Sequence, residues 1–285
     1  MTVVSEIPIS QIREREFELL DADFDALREI IKVRAGIHLS VGKKELVYGR
    51  VSRRLRHLRL RSFAEYRRLL ESNEDELVEF CNAMTTNLTS FFRESHHFDY
   101  LREHVLEPRL RDPRASRRIR IWSAACSSGE EPYSIAMVVR ETLQDLRNWD
   151  VRILATDLDT EILARATAGV YPEDRLKGLT RQRMETHFSA VPGRPGHFAV
   201  ARELASLITF KQLNLTRHLP MKGPLDAIFC RNVIIYFDKD TQRDLFARIA
   251  VLQRCADVLF LGHSESLFKV SDDYVLQQKT IYRRV

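Results

Sequence analysis

The chain has 285 residues, 44% of them hydrophobic and 30% charged, with a formal net charge of +5. This is an ordinary soluble composition with enough apolar material for a real core. No run approaches 18 apolar residues and the N-terminus lacks a long apolar stretch, so neither a membrane span nor a signal peptide is expected. Cys81, Cys126, Cys230 and Cys255 are far apart with no C-x-x-C pair, which argues against a metal site and for reduced thiols in a cytoplasmic protein.

Residues 1–16 read as a flexible lead-in. From about 17 to 90, apolar and charged residues alternate at helical spacing. Phe24, Leu27, Ile30 and Ile31 mark a first helix, with Asp23 as the expected N-cap. A second helix is expected over about 43–60, with Val47, Val51, Leu55 and Leu58 on one face and Arg50, Arg53, Arg54 and Arg56 on the other. Between Lys43 and Arg61 eight Lys and Arg stand against one acid, Glu45, a local field suited to an acidic partner. Two further helices, over about 62–70 and 74–85, complete a small all-helical unit.

Residues 91–118 are expected to form a linker or helix that joins this unit to the next; the proline-containing stretch 106–118 reads as a connection. From 119 to 285 the texture changes. Apolar runs at 119–125, 151–157, 206–213, 224–230 and 258–262 alternate with helical stretches, and the chain is expected to end in a hairpin. Such alternation predicts a doubly wound α/β sheet. A Pro- and Gly-containing segment at about 188–205 interrupts it and is expected to form a small β insertion.

Five segments carry candidate chemistry. In IRIWSAACSSGEEPYSIA (119–136) a strand runs through a small-residue loop into a helix led by Glu130 and Glu131. Ligands of α/β sheets bind at that edge. A single glycine followed by two glutamates is a poor cradle for a pyrophosphate; a cationic or zwitterionic ligand without phosphate, such as S-adenosylmethionine, is more natural. Asp157 ends the second strand, where an acid either accepts from ribose hydroxyls or caps the next helix. Asn214 and Leu215 follow the third strand, as an adenine contact or as an ordinary turn. Cys230, Arg231 and Asn232 end the fourth, with Tyr236 beyond. Asn87, Thr89 and Arg93, in MTTNLTSFFRES (84–95), crowd the junction of the two units, where Arg93 either reaches the cleft or sits on the surface.

TNLTSFFRE, WSAACSSGEEPYS, ATDLDTEIL, FCRNVIIYFD and LGHSES, in this order, resemble the chemotaxis-receptor glutamate methyltransferases of the CheR family. The resemblance covers the chain from about Phe17 onward. It implies a Rossmann-like S-adenosylmethionine-dependent methyltransferase sheet, an N-terminal all-helical domain and a small inserted β-subdomain. It also implies that Asn87, Thr89, Arg93, Glu131, Asp157, Asn214, Leu215, Cys230, Arg231 and Asn232 surround S-adenosylmethionine, with Arg93 and Tyr236 at the reacting groups. The substrate it implies is a glutamate on the cytoplasmic helical bundle of a chemoreceptor, converted to a methyl ester. Arg50, Arg53, Arg54 and Arg56 are expected to grip that bundle, and the β-subdomain to dock a receptor C-terminal pentapeptide in some members. A monomer with no bound metal and no nucleic-acid partner is expected.

No dyad for general-base catalysis is visible, and a glutamate with a reference pKa of about 4.3 needs none. Two rival readings stay open. A nucleic-acid methyltransferase accords with the basic helix, but Arg231-Asn232-Val233 stands where amino-methylating enzymes carry an N/D-P-P-Y/F-type motif. A non-catalytic module that senses the cofactor is the other.

Overall fold

The computed structural model describes residues 15–285, so the lead-in lies almost wholly outside the described residues. Four helices form the first domain: α1 (Asp21–Ala35), α2 (Lys44–Leu58), α3 (Phe63–Ser72) and α4 (Glu74–Met84). Ser62 and Asn73 cap α3 and α4 by accepting from Glu65 and Glu76 N–H groups, satisfying otherwise unpaired donors. Asp23 does not cap α1. It lies within the first turn of the helix, buried, and pairs with Arg67 at 2.9 Å. The helix stops at Gly36, whose φ is +71° and whose Cβ would fall 2.2 Å from Thr216 Cγ2, so only glycine lets α1 end against the second domain.

Val47, Val51 and Leu55 of α2 are fully buried, as their spacing predicts. Arg50 and Arg54 stand at the rim of that stripe and not opposite to it; at 100° per residue Arg54 falls about 20° from Val47. Arg54 therefore reaches the buried Glu76 carboxylate at 2.5 Å and Glu79 at 3.3 Å. Arg50 donates to the carbonyls of Met84 and Thr85 at 2.6 and 2.7 Å and to Thr86 Oγ1 at 2.8 Å. It thus satisfies the end of α4, where helix carbonyls attract a cation, and aims the following segment at the sheet. Arg53 and Arg56 remain exposed; Arg56 pairs with Glu16.

The junction is helical over 96–111, running into the stretch expected as a connection. α5 (His96–Tyr100), a π turn over Leu101–Leu106 and α6 (Glu107–Arg111) run on continuously. Pro108 stands at the start of α6, directly after the π turn. Next come β1 (Arg118–Ala124), α7 (Glu130–Leu143), β2 (Asp150–Asp157) and α8 (Thr160–Ala168).

The inserted subdomain begins at Val170, earlier than the 188–205 read from sequence. It holds β3 (Val170–Pro172), α9 (Glu173–Leu176), α10 (Arg181–His187), β4 (Phe188–Ala190) and β5 (His197–Val200), closed by α11 (Arg202–Ala205). Its sheet is antiparallel, in the order β3-β5-β4. A three-residue strand shows no usable alternation, which is why β3 escaped detection.

The main sheet resumes with β6 (Ile208–Gln212) and β7 (Ala227–Cys230), then α12 (Lys239–Ala250), β8 (Val258–Phe260), β9 (Tyr274–Gln278) and β10 (Ile281–Arg284). Its order is β6-β2-β1-β7-β8-β10-β9, with β6 to β8 parallel and the terminal hairpin antiparallel. Winding runs from β1 outward to β2 and β6, then reverses to β7 and β8. The reversal between β1 and β7 opens a crevice at the strands' carboxyl ends, the usual ligand position in such sheets.

Behind that crevice the His97 ring is fully buried beside Phe260, with Nε2 3.2 Å from Thr280 Oγ1. Burial, reinforced by Arg231, pushes its pKa down to about 2. The unfolded chain then binds a proton that the folded chain refuses. The neutral ring's contribution is complete above about pH 6.5 and is lost as pH falls below it, by about 1.4 kcal/mol per pH unit. Urea unfolding at pH 7.5 and 5.0 checks this: the wild type should lose about 2 kcal/mol more than His97→Phe over that span.

Candidate active site

The crevice is a cleft of about 980 Å³, counted with its open mouth, between the sheet edge and the first domain. Ala35, Ile37 and residues 84–90 form one wall; Ala125–Ser127, Glu131, Asp157, Leu215 and Arg231–Val233 form the other. The loop after β1 bends at Ala125, Ser127 and Gly129, all at positive φ (61°, 52° and 95°). At Gly129 a Cβ would also lie 2.8 Å from Tyr171 Oη, so the bend into α7 requires glycine.

Asp157 holds this loop. Its Oδ2 accepts from Ser127 N–H at 2.8 Å and its Oδ1 from Asp159 N–H at 3.0 Å. Burial pushes its carboxyl up from the ordinary aspartate range, against the lowering effect of those amides. Asp159 is the cap of α8, accepting from Ile162 N–H, so the capping role left open for Asp157 belongs to its neighbour. Asp159 Oδ2 also accepts from Asn87 Nδ2 at 2.7 Å and Thr85 Oγ1 at 2.8 Å, tying the linker to the second strand.

Glu131, in the first turn of α7, accepts from Ser123 Oγ at 2.7 Å and from Arg231 Nη1 at 2.9 Å. Burial pushes its carboxyl upward, while Arg231 and Ser123 oppose the shift. Arg231, 5% exposed, also meets Glu94 at 3.3 Å. Arg93 lines the cleft as well, with Nη1 donating to Leu88 O at 2.7 Å. Among the described residues it has no carboxylate within salt-bridge distance, unlike Arg231.

The remaining sequence candidates divide. Asn87, Thr89, Asn214, Leu215, Asn232 and Tyr236 all line the cleft. Asn214 is already committed: its amide donates to Arg34 O at 2.6 Å and its Oδ1 accepts from Thr216 N–H at 2.9 Å. Cys230 does not reach the wall. It is fully buried in the core cluster with Trp122 and Ile234, and burial pushes its thiol upward.

Sequence reasoning missed two organising groups. Arg175, from the inserted subdomain, pairs with the buried Glu130 and donates to Thr89 O at 3.3 Å. Glu265 accepts from the N–H groups of Asn232, Ile234 and Gly262 at 2.8, 2.9 and 2.6 Å, holding Asn232 at a positive φ of 58°. The LGHSES segment contained that glutamate, but nothing in its spacing revealed the task.

The donor set fits S-adenosylmethionine. Two buried carboxylates suit an ammonium and ribose hydroxyls, Leu215 and Ile37 offer apolar surface, and the cation at the floor is already occupied by carboxylates and so cannot cradle phosphate. Fold and site define the class: a Rossmann-like S-adenosylmethionine-dependent methyltransferase.

Comparison with known proteins agrees. Residues 22–85 match the family model described as "CheR methyltransferase, all-alpha domain", and residues 87–283 match "CheR methyltransferase, SAM binding domain". The "Chemotaxis protein methyltransferase" of Escherichia coli strain K12 is 43% identical over 277 residues, covering 95% of this chain and 93% of that protein. "Chemotaxis protein methyltransferase 2" of Pseudomonas aeruginosa is 44% identical over 270 residues, covering 94% and 95%. The chain belongs to the CheR family of S-adenosylmethionine-dependent chemotaxis protein methyltransferases. Among the described residues, no helix is long and apolar enough to cross a membrane, and no three His, Cys, Asp or Glu gather as metal ligands.

Both Asp157 oxygens accept backbone N–H groups, and an asparagine amide would set N–H against N–H at one of them. Asp157→Asn is therefore expected to weaken S-adenosylmethionine binding about tenfold or more. Isothermal titration, with melting curves to confirm folding, measures it; an unchanged affinity contradicts the role given to Asp157.

Proposed function

We propose that this protein converts glutamate side chains on the cytoplasmic helical bundle of chemoreceptors into methyl esters. The observation that carries the reading is Arg93, a cleft-lining cation with no carboxylate partner among the described residues. Such a group suits an incoming carboxylate.

S-adenosylmethionine, when bound, supplies a methyl group on a sulfonium centre, which leaves without an acid. Glu131 and Asp157 hold its ammonium and ribose ends, and Leu215 its adenine. Asn87 and Thr89 close the linker side, and Asn232 the floor. Arg93 draws in the substrate carboxylate and fixes its direction of approach, and Tyr236 borders the same space. Fixing two reactants in line contributes on the order of 7–11 kcal/mol. The substrate is already ionised at neutral pH, so the cleft needs no general base. The helical domain excludes water from the carboxylate, which strengthens Arg93's attraction.

The bundle surface is read, on this proposal, by the outward side of α2. Arg50 and Arg54 are spent inside the domain, so the grip falls to Arg53, Arg56 and their exposed neighbour Arg59. A single chain suffices for the reaction, and the substrate sets the place of work as the cytoplasm. The three-stranded β-subdomain is the surface available to a receptor C-terminal pentapeptide.

Transfer of labelled methyl to a receptor cytoplasmic fragment tests the reading. Arg93→Ala should lower kcat/KM by about a hundredfold while cofactor affinity changes by less than about threefold. Unchanged turnover contradicts the assignment. Arg53→Glu should raise KM for the receptor about fivefold at low salt, and the difference should shrink as salt screens the contact. Equal loss of cofactor binding in that variant would contradict a docking role.

A further inference from the structure

The inserted subdomain touches the linker at three positions just ahead of Arg93. Arg175 donates to Thr89 O at 3.3 Å. The Phe91 ring meets Tyr171 of β3 and Phe188 of β4 edge-on, with centroids 5.0 and 5.6 Å apart. The Phe92 ring lies under Arg183 of α10, whose guanidinium carbon is 3.8 Å from the ring centroid. The last contact falls on a residue with an unusual backbone.

Arg93 N–H donates to Ser90 O at 3.3 Å and closes a four-residue turn. Phe92 stands third in that turn, with a φ of 52°. Turns with positive φ at this place ordinarily carry glycine or asparagine. A bulky side chain disfavours the left-handed region, so it persists there only where its surroundings hold it. The backbone is held on α7: Phe92 N–H donates to Ser134 Oγ at 3.0 Å, and that hydroxyl donates to Glu130 O at 2.6 Å. The ring is held by an edge-on contact with Phe98, at 5.1 Å between centroids, and by Arg183.

Arg183 is itself fixed. Its Nε and Nη2 donate to the two carboxylate oxygens of Glu141 on α7, both at 2.8 Å. Burial alone would push Glu141 up, but Arg183 and His187 hold it down to about 2, so the pair is charged at neutral pH. A bidentate pair sets the plane of the guanidinium, and a cation over a ring face is attracted to it. The chain α7–Glu141–Arg183–Phe92 thus ends one residue before the cleft-lining Arg93. If the turn relaxed to negative φ at Phe92, the Arg93 Cα–Cβ bond would swing with it. Misplacing an orienting group by about 1 Å can cost on the order of a hundredfold in rate.

We infer that Arg183 is a positioning residue for Arg93: clamped on Glu141, it holds the Phe92 ring in place and so fixes the turn that aims Arg93 into the cleft. The inference rests on the substrate-orienting role proposed for Arg93. It gives the inserted subdomain a part in the reaction that needs no receptor tail.

Methyl transfer to a receptor cytoplasmic fragment lacking its C-terminal tail tests this, because docking of a tail on the subdomain is then absent. Arg183→Ala should lower kcat/KM about tenfold, while S-adenosylmethionine affinity, by isothermal titration, changes less than about twofold. The double variant separates positioning from a general structural role. If Arg183 acts through Arg93, Arg93→Ala combined with Arg183→Ala should be within about twofold of Arg93→Ala alone. Glu141→Gln keeps the shape but loosens the guanidinium. It should lower kcat/KM about threefold, and that loss should also vanish in the Arg93→Ala background. Losses that multiply in the double variant, an equal loss of cofactor affinity, or unchanged turnover in Arg183→Ala overturn the inference. If Arg93→Ala itself leaves turnover unchanged, the reading of Arg93 has failed and takes the inference with it. Melting curves check folding. Should Arg183→Ala not fold, Glu141→Gln in the two backgrounds carries the same comparison, and an unchanged or multiplying effect there overturns the proposal.

Discussion

The guanidinium of Arg231 joins three parts of the molecule that have no sequence continuity. It projects from the end of β7, pairs with Glu131 at the start of α7 and with Glu94 in the linker, and donates to the carbonyl of Arg93. A buried cation is costly unless paired, so the chain must bring both carboxylates to it. In doing so it fixes the floor of the cleft relative to the helix that opens it. It also fixes the linker that carries Arg93 to the mouth.

The first domain reaches the cleft by a second set of constraints. Arg50 satisfies the end of α4 and sends residues 85–90 across the sheet edge, where Asn87 and Thr85 meet Asp159. Gly36 lets α1 finish against Thr216, and Asn214 donates back to Arg34. The inserted subdomain supplies a third hold, through Tyr171 on Ser128 O and Arg175 on Glu130. The cofactor loop is thus clamped from the sheet, the linker and the subdomain together, which preorganises the site before ligand arrives.

Much of this was legible in the sequence. The alternation of apolar runs and helical stretches gives β1 and β2 to within a residue, because buried parallel strands are continuous apolar runs. The loop with one glycine and two glutamates correctly pointed away from a dinucleotide. What stayed hidden depends on partners distant in sequence. Arg54 is expected opposite the apolar stripe, although the helical wheel puts it beside the stripe, and no spacing shows that Glu76 waits there. Asp23 has the chemistry of a cap, yet it lies within the first turn, where it pairs with Arg67. Residues 106–111 look like a connection because of Pro108, although the helix continues through it after a π turn. The subdomain's first strand is too short for any periodicity. Nothing in the spacing around Glu94 and Glu265 announces their guanidinium and amide partners.

The proposed chemistry turns on one transfer: the methyl group goes to a carboxylate of a receptor helix. Incubation of the protein with methyl-labelled S-adenosylmethionine and a receptor cytoplasmic fragment, followed by peptide mapping, tests it directly. The account expects label on glutamate residues of the bundle, released as methanol by mild base. Base-stable label on nitrogen, label on added nucleic acid, or no transfer despite cofactor binding would contradict it.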